Sequence, residues 1–168
     1  PMTEGLFGEG FSVALERGHI VVDAQYRTSV PNIYAIGDVN GGIQLAHAAA
    51  AQGRNAVAAI AGKTPDTAAG LIPSCIYLEP ELASVGLTLD EAKAQGRAVL
   101  SRKYSMGANG KTVLAGAERG YLRVVADEKT HVVLGAQLMC ERASDIVSEF
   151  TAAIAARQTL GELAAIVR

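Results

Sequence analysis

The chain has 168 residues, 49% of them apolar, with three Phe, five Tyr and no Trp, so its core must be aliphatic and alanine-rich, in one domain or one and a half. A formal net charge of −2 excludes the basic field that draws a protein to nucleic acid. No apolar run approaches the roughly 20 residues of a spanning helix, no signal peptide is expected, and two cysteines far apart in sequence suit a reducing cytoplasm better than a disulfide scaffold.

Residues 1–18 carry several glycines and little periodicity, as an irregular connection does. Residues 19–23, HIVVD, predict a short strand. Residues 28–38, TSVPNIYAIGD, predict another, buried over 33–36 and ending abruptly at Gly37-Asp38. A glycine-bearing loop, VNGGIQLAH over 39–47, leads into an alanine-rich helix expected over 45–61 and stopped by Gly62. Residues 64–70, TPDTAAG, read as a linker, with the domain boundary between 66 and 67.

Beyond the linker the pattern is α+β. Strands are expected over 72–78 and 83–86. Thr88 and Glu91 form a capping box that opens a helix to about residue 95. A strand follows over 99–105, then strands over 121–126 and 131–138 joined by the four-residue loop 127–130. Residues 144–157 predict a helix with Ile146, Val147, Phe150 and Ile154 on one stripe, and Thr159 with Glu162 caps a last helix. If the strands alternate, Val124, Val132, Val133, Leu134, Ile146, Val147, Phe150 and Ile154 cannot all face one core, which predicts a second covered surface and a two-fold partner.

The chemistry concentrates at Gly37-Asp38. A carboxylate at the carboxyl end of a strand can accept hydrogen bonds from ligand hydroxyls, and a preceding glycine lets backbone approach that ligand. With a helix N-terminus behind the loop, the segment suits a polar, partly anionic cofactor. Asp38 taken alone is as readily a turn former, Gly41 and Gly42 plain loop glycines, and His47 a surface residue at a helix start. Cys75 falls in an apolar strand pattern as a small core residue. Cys140 is expected to open a helix region, where a thiol pKa is lowered, with no base nearby. His131 is expected on the exposed hairpin, and Glu79 and Glu81 flank Pro80 as a remote candidate for a hydrolase carboxylate pair.

The same residues carry a resemblance. TSVPNIYAIGDV followed by QLAHAAAAQGRNAV resembles the second flavin-binding motif of the FAD-dependent pyridine nucleotide–disulfide oxidoreductases. IPSCIYLEPELASVGLTLDEAKAQG and GYLRVVADEKTHVVLGAQLMCERASDIVSEF are similar to that family's C-terminal dimerisation domain, so the resemblance runs from about His19 onward. It implies an α+β fold: a dimerisation domain of antiparallel sheet and helices over 67–168, preceded over 1–66 by the last strand–helix unit of an FAD-binding α/β domain. It places Gly37 and Asp38 at the ribityl chain of FAD, and Gln44, Leu45, Ala46 and His47, through their backbone, at the flavin pyrimidine edge. It assigns no catalytic residue and no metal ligand to this chain.

The resemblance implies FAD as cofactor, NAD through a site absent from this chain, a homodimer through residues 71–168, and 2-oxoacid dehydrogenase complex components as further partners. The implied reaction is oxidation of a dithiol through a redox disulfide and FAD to NAD. RASDIVSEF and TLGELA look most like members that act on dihydrolipoamide, although mercuric and glutathione reductases share the Gly-Asp pair. No G-x-G-x-x-G and no C-x4-C pair occurs, and the family's His-Pro segment is not reached. The expectation is therefore a C-terminal piece of a larger flavoenzyme, inactive alone. The residues leave open an interaction module that binds no cofactor.

Overall fold

The computed structural model describes residues 1–65, 71–117 and 119–167. The chain divides into two units, Pro1–Gly70 and Leu71–Arg168. The boundary expected between residues 66 and 67 lies outside the described residues.

In the first unit a minimal hairpin pairs β1 (Leu15–Glu16) with β2 (His19–Ile20), antiparallel. Val13, Ile20 and Ala35 form a small buried core, with Phe7, Val22, Val30 and Val39 packed around it. The strand expected over 33–36 does not form as such. Its ladder is a single bridge, Arg27 to Tyr34, and Ile33 and Ile36 are exposed while only Ala35 is buried. A strand needs a partner on its hydrogen-bonding edge, and among the described residues only the short turn from Asp23 to Arg27 supplies one. Gly37–Asn40 is a 3-10 turn rather than a strand end.

Helix α1 spans Ala46–Ile60, with Leu45 as N-cap. Its alanines favour the helix, and Ala48, Ala51 and Ala56 are buried. Gly62 ends it as expected, at φ 66°, with its N–H on the Ala59 carbonyl and the Lys63 N–H on the Ala58 carbonyl. That is the left-handed stop that glycine adopts without steric cost.

The second unit is a five-stranded antiparallel sheet in the order β3-β4-β7-β6-β5. Its strands are β3 (Ser74–Ile76), β4 (Glu81–Gly86), β5 (Val99–Ser105), β6 (Tyr121–Asp127) and β7 (Val133–Cys140). Around it lie α2 (Leu89–Ala94), α3 (Gly110–Leu114), α4 (Ala143–Ala155) and α5 (Leu160–Ala165). The capping boxes of Thr88 with Glu91 and Thr159 with Glu162 both form. Helix α3 and the 3-10 turn Met106–Ala108 were not legible, because each is too short to show a period.

Helix α4 covers one sheet face. Val147, Phe150 and Ala153 meet Ala83, Val85, Val133, Ala136, Leu138 and Cys140 in one core, with Val124, Ile146 and Ile154 packed against it. Most of the residues expected to be divided between two surfaces therefore share one. The alternation is broken by a register shift: Val125 pairs with Gly135 but Ala126 pairs with Val133, so Leu134 is bulged out. The extra residue puts Val133 on the same face as Ala136 and Leu138. Cys140 is the last residue of β7, 1% exposed, and does not open a helix; Cys75 lies half-buried in β3 against the same core. His131 is exposed at the hairpin, as expected.

The start of α4 has no local cap. Arg142 at the N-cap position sits at φ 59° and makes no side-chain capping bond. Glu81, 63 residues earlier on β4, supplies the acceptor: its Oε2 takes the Ser144 N–H at 2.9 Å and the Ser144 hydroxyl at 2.7 Å. A carboxylate at a helix N-terminus is favoured by both hydrogen bonding and the helix dipole. The Ser144 hydroxyl, then its backbone N–H, hold the Glu81 carboxyl below the usual glutamate value.

The backbone N–H groups of Thr88, Thr159 and Thr130 lower Glu91, Glu162 and Asp127 in the same way. A depressed folded-state pKa contributes stability above the unfolded value, and that contribution disappears as pH falls through the folded value. The second unit should therefore lose stability as pH drops below about 4.5, the ordinary glutamate value. Glu81→Gln should melt lower than wild type at pH 7, with the difference shrinking in acid, as read by thermal unfolding across a pH series. A difference that grew toward acid would remove the capping role from Glu81.

Candidate functional site

The expected site residues lie on the 3-10 turn and the adjoining start of α1, which pack on each other. The turn is delivered by a well-braced approach. Asp23 Oδ1 accepts the N–H groups of Gln25 at 2.8 Å and Arg27 at 3.0 Å, and its Oδ2 meets Arg27 Nε at 2.9 Å. The backbone N–H of Arg27, then that of Gln25, hold the Asp23 carboxyl below the usual range. Thr28 closes the next bend with its hydroxyl on Val30, and the Ala35 N–H reaches the Tyr26 carbonyl. The chain then passes Ile36 into the turn.

Gly37 is buried at φ 75°, where a side chain is strained, and a Cβ there would stand 3.1 Å from the Ala49 methyl of α1. Its N–H donates to Gln52 Oε1 at 2.8 Å. Asn40 Nδ2 donates to the same oxygen at 2.9 Å, and Asn40 Oδ1 accepts the Gly42 N–H at 3.0 Å. Asp38, in the first turn of this segment, is exposed, and its carboxylate has no hydrogen-bond partner among the described residues. Gly41 follows at φ 75°, directly over the His19 ring, whose Cγ would be 2.8 Å from an added Cβ. The His19 Nδ1 atom is buried without a partner among the described residues.

Gln44, Ala46 and His47 are exposed and Leu45 is half-buried at the N-cap. Neither a side-chain cap nor an acidic residue occupies the first turn of α1. The structure thus brings Gly37 and Asp38 beside the helix that residues 44–47 open. Asn40, Gln52 and His19 belong to the same neighbourhood and were missed. Gln52 had one available signal: it falls at i, i+4, i+8 spacing with Ala48 and Ala56, a polar side chain on a buried alanine stripe.

Other candidates are not assembled into chemistry. Glu81 is held as the cap of α4, so it forms no free carboxylate pair with Glu79. Both residues line a cleft of about 520 Å³ in the second unit, with Arg119, Glu141 and Arg142. Burial, and then the Glu81 charge, push both the Cys75 and Cys140 thiols up, which makes them poor nucleophiles. Among the described residues no group of His, Cys, Asp and Glu could hold a metal ion, and no helix is long and apolar enough to cross a membrane.

Residues 72–167 match the family model described as pyridine nucleotide-disulphide oxidoreductase, dimerisation domain, and residues 1–53 match that of pyridine nucleotide-disulphide oxidoreductase. A dihydrolipoyl dehydrogenase of Bacillus subtilis is 43% identical over 147 residues, covering 87% of this chain and 31% of that protein. One from Chlorobaculum tepidum is 42% identical over 161 residues, covering 95% of this chain and 34% of the relative. The chain thus spans about a third of the length of these relatives. Among solved structures, LpdA from Mycobacterium tuberculosis superposes with a TM-score of 0.89 at 29% identity, over 100% of this chain and 37% of that one. The Cu(II) complex of the HOCl-induced flavoprotein disulfide reductase RclA from Escherichia coli gives 0.91 at 27%, over 100% of this chain and 40% of that one.

Proposed function

The chain belongs to the pyridine nucleotide-disulphide oxidoreductases, and on that premise we propose that it is part of a flavin-dependent dihydrolipoamide dehydrogenase that passes electrons from a dithiol to NAD. Relatives named dihydrolipoyl dehydrogenase at about 40% identity support that substrate over a mercuric or glutathione reductase. The observation that carries the flavin assignment is the exposed Asp38 carboxylate, without a partner among the described residues, on a turn packed against α1, whose N-cap residue makes no side-chain capping bond.

These residues fit an FAD. Asp38 would hold ribityl hydroxyls, which need an acceptor, and Gly37 admits no side chain between the turn and α1. The backbone of Gln44, Leu45, Ala46 and His47 would lie at the pyrimidine edge, where the positive end of a helix dipole favours the negative charge of the reduced ring. When bound, the flavin supplies two-electron transfer between a dithiol–disulfide couple and a nicotinamide. What this chain's residues do is bind and orient. The small side chains of Ala46, Ala48, Ala49 and Ala50 allow close approach, and the helix macrodipole contributes about 0.3–2 kcal/mol at its end. Neither cysteine is placed to act as the redox pair, and the nicotinamide site would lie elsewhere in the protein.

The second unit holds two subunits together on this reading. Ile76, Tyr77, Leu78 and Leu114 are large apolar side chains left open to solvent, Leu114 at 92% exposure. A two-fold partner covering them is the commonest solution for a dimerisation domain. Association with 2-oxoacid dehydrogenase complex components, and a cytoplasmic setting, follow from the same proposal.

Two outcomes test it. In the full-length protein, Asp38→Ala should weaken FAD binding about ten- to hundred-fold, the worth of a charge-assisted acceptor, and Asp38→Asn should be milder. Equal flavin content after dialysis would reduce Asp38 to a turn former. Light scattering on the full-length protein should read a dimer at micromolar concentration, and Leu78→Asp should shift it toward monomer with an unchanged far-ultraviolet circular dichroism spectrum. A wild-type monomer at that concentration would reject the dimer.

A further inference from the structure

We propose that Gln52 is a positioning residue for the cofactor, fixing through one side-chain oxygen the turn that presents Asp38. The inference rests on the reading that Asp38 holds FAD. The turn Gly37–Asn40 closes on itself only at its far end, where the Gly41 N–H meets the Asp38 carbonyl. Ile36 at its N-cap makes no side-chain capping bond. The Gly37 N–H is in a buried residue and needs an acceptor. Gln52 Oε1 provides it from α1, 15 residues later, at 2.8 Å.

The same oxygen also takes Asn40 Nδ2 at 2.9 Å, from the far end of the turn. Asn40 in turn accepts the Gly42 N–H on its Oδ1 at 3.0 Å, and its Nδ2 lies 3.4 Å from the Ala35 carbonyl. Only one orientation of each amide satisfies this set. Gly37 and Gly42 both present N–H groups, so each must meet an oxygen; turning either amide over would set N–H against N–H. Both lone pairs of the Gln52 oxygen are therefore in use, one at each end of a four-residue turn. Asp38 lies between these anchors.

Since the Asp38 carboxylate makes no bond of its own among the described residues, its place is set by the backbone under it. Gln52 sits on α1 six residues beyond Ala46, about 9 Å along the axis from the helix start. One side chain therefore couples the two parts of the site, the acidic turn and the helix N-terminus.

The variants Gln52→Met and Gln52→Glu separate acceptor chemistry from packing. Methionine keeps the length and loses the oxygen, whereas glutamate keeps an acceptor for both N–H donors. The measurement is FAD titration of the apo form of the full-length protein, followed by flavin fluorescence quenching, with Asp38→Ala alongside. Gln52→Met should weaken FAD about ten-fold, the scale of leaving a buried backbone N–H unpaired. Gln52→Glu should stay within about three-fold of wild type, since one acceptor replaces another. Should the methionine variant fail to fold, Asn40→Ala carries the same test, with several-fold weaker binding expected and wild-type affinity contradicting the proposal. Wild-type affinity in Gln52→Met, or an equal loss in Gln52→Met and Gln52→Glu, while Asp38→Ala binds weakly, overturns the role of Gln52 alone. Wild-type affinity in Asp38→Ala instead overturns the reading of Asp38, and the Gln52 proposal with it.

Discussion

The candidate site in the first unit depends on where a single buried N–H goes. Gly37 must turn the chain at φ 75° with its N–H pointing inward, and no neighbour in sequence can accept it. The amide of Gln52 answers from the next helix and binds Asn40 with the same oxygen. A buried donor left unpaired costs about 1–3 kcal/mol. With that contact in place, the turn is tied at both ends to helix α1, and the glycine loop is tied to the turn through Asn40. The proposed cofactor chemistry needs that rigidity, because a carboxylate on a loose loop loses binding free energy to ordering.

The second unit solves the same problem in the same way. Helix α4 begins at a residue in the left-handed region with no cap of its own, and Glu81 on a strand of the sheet accepts both donors of Ser144. The carboxylate thereby ties the start of α4 to β4, beside the core in which Val147, Phe150 and Ala153 pack against Val85, Ala136 and Leu138. In both units an element with a defective start is completed by a side chain from another element. Short capping boxes at α2 and α5, by contrast, are finished within four residues.

That contrast explains what was legible. Thr88 with Glu91 and Thr159 with Glu162 declared their helices, strand 99–105 appeared with its observed bounds, and Gly62 declared the end of α1, because each signal is local. The caps by Gln52 and Glu81 are contacts across 15 and 63 residues and leave no local trace. The bulge at Leu134 was equally invisible, and it gathers more of the apolar residues into one core than plain alternation allows, leaving Val132 and Leu134 outside it. The segment at 33–36 looked like a buried strand because YAI has the composition of one, yet a strand is made by its neighbours, and here only Tyr34 has a ladder partner. Gly37, Asp38 and residues 44–47 could be picked out because they repeat a family pattern; the residues that hold them in place could not.

The central claim is that the Asp38 turn is a preformed acceptor for the ribityl chain, braced from α1. A crystal structure of the full-length protein with FAD bound tests it most directly. The account predicts a ribityl hydroxyl within about 2.5–3.0 Å of an Asp38 carboxylate oxygen, with the Gly37–Gln52–Asn40 bonds unchanged. A flavin bound with Asp38 still facing solvent, or a turn that abandons Gln52 to reach it, would contradict the account.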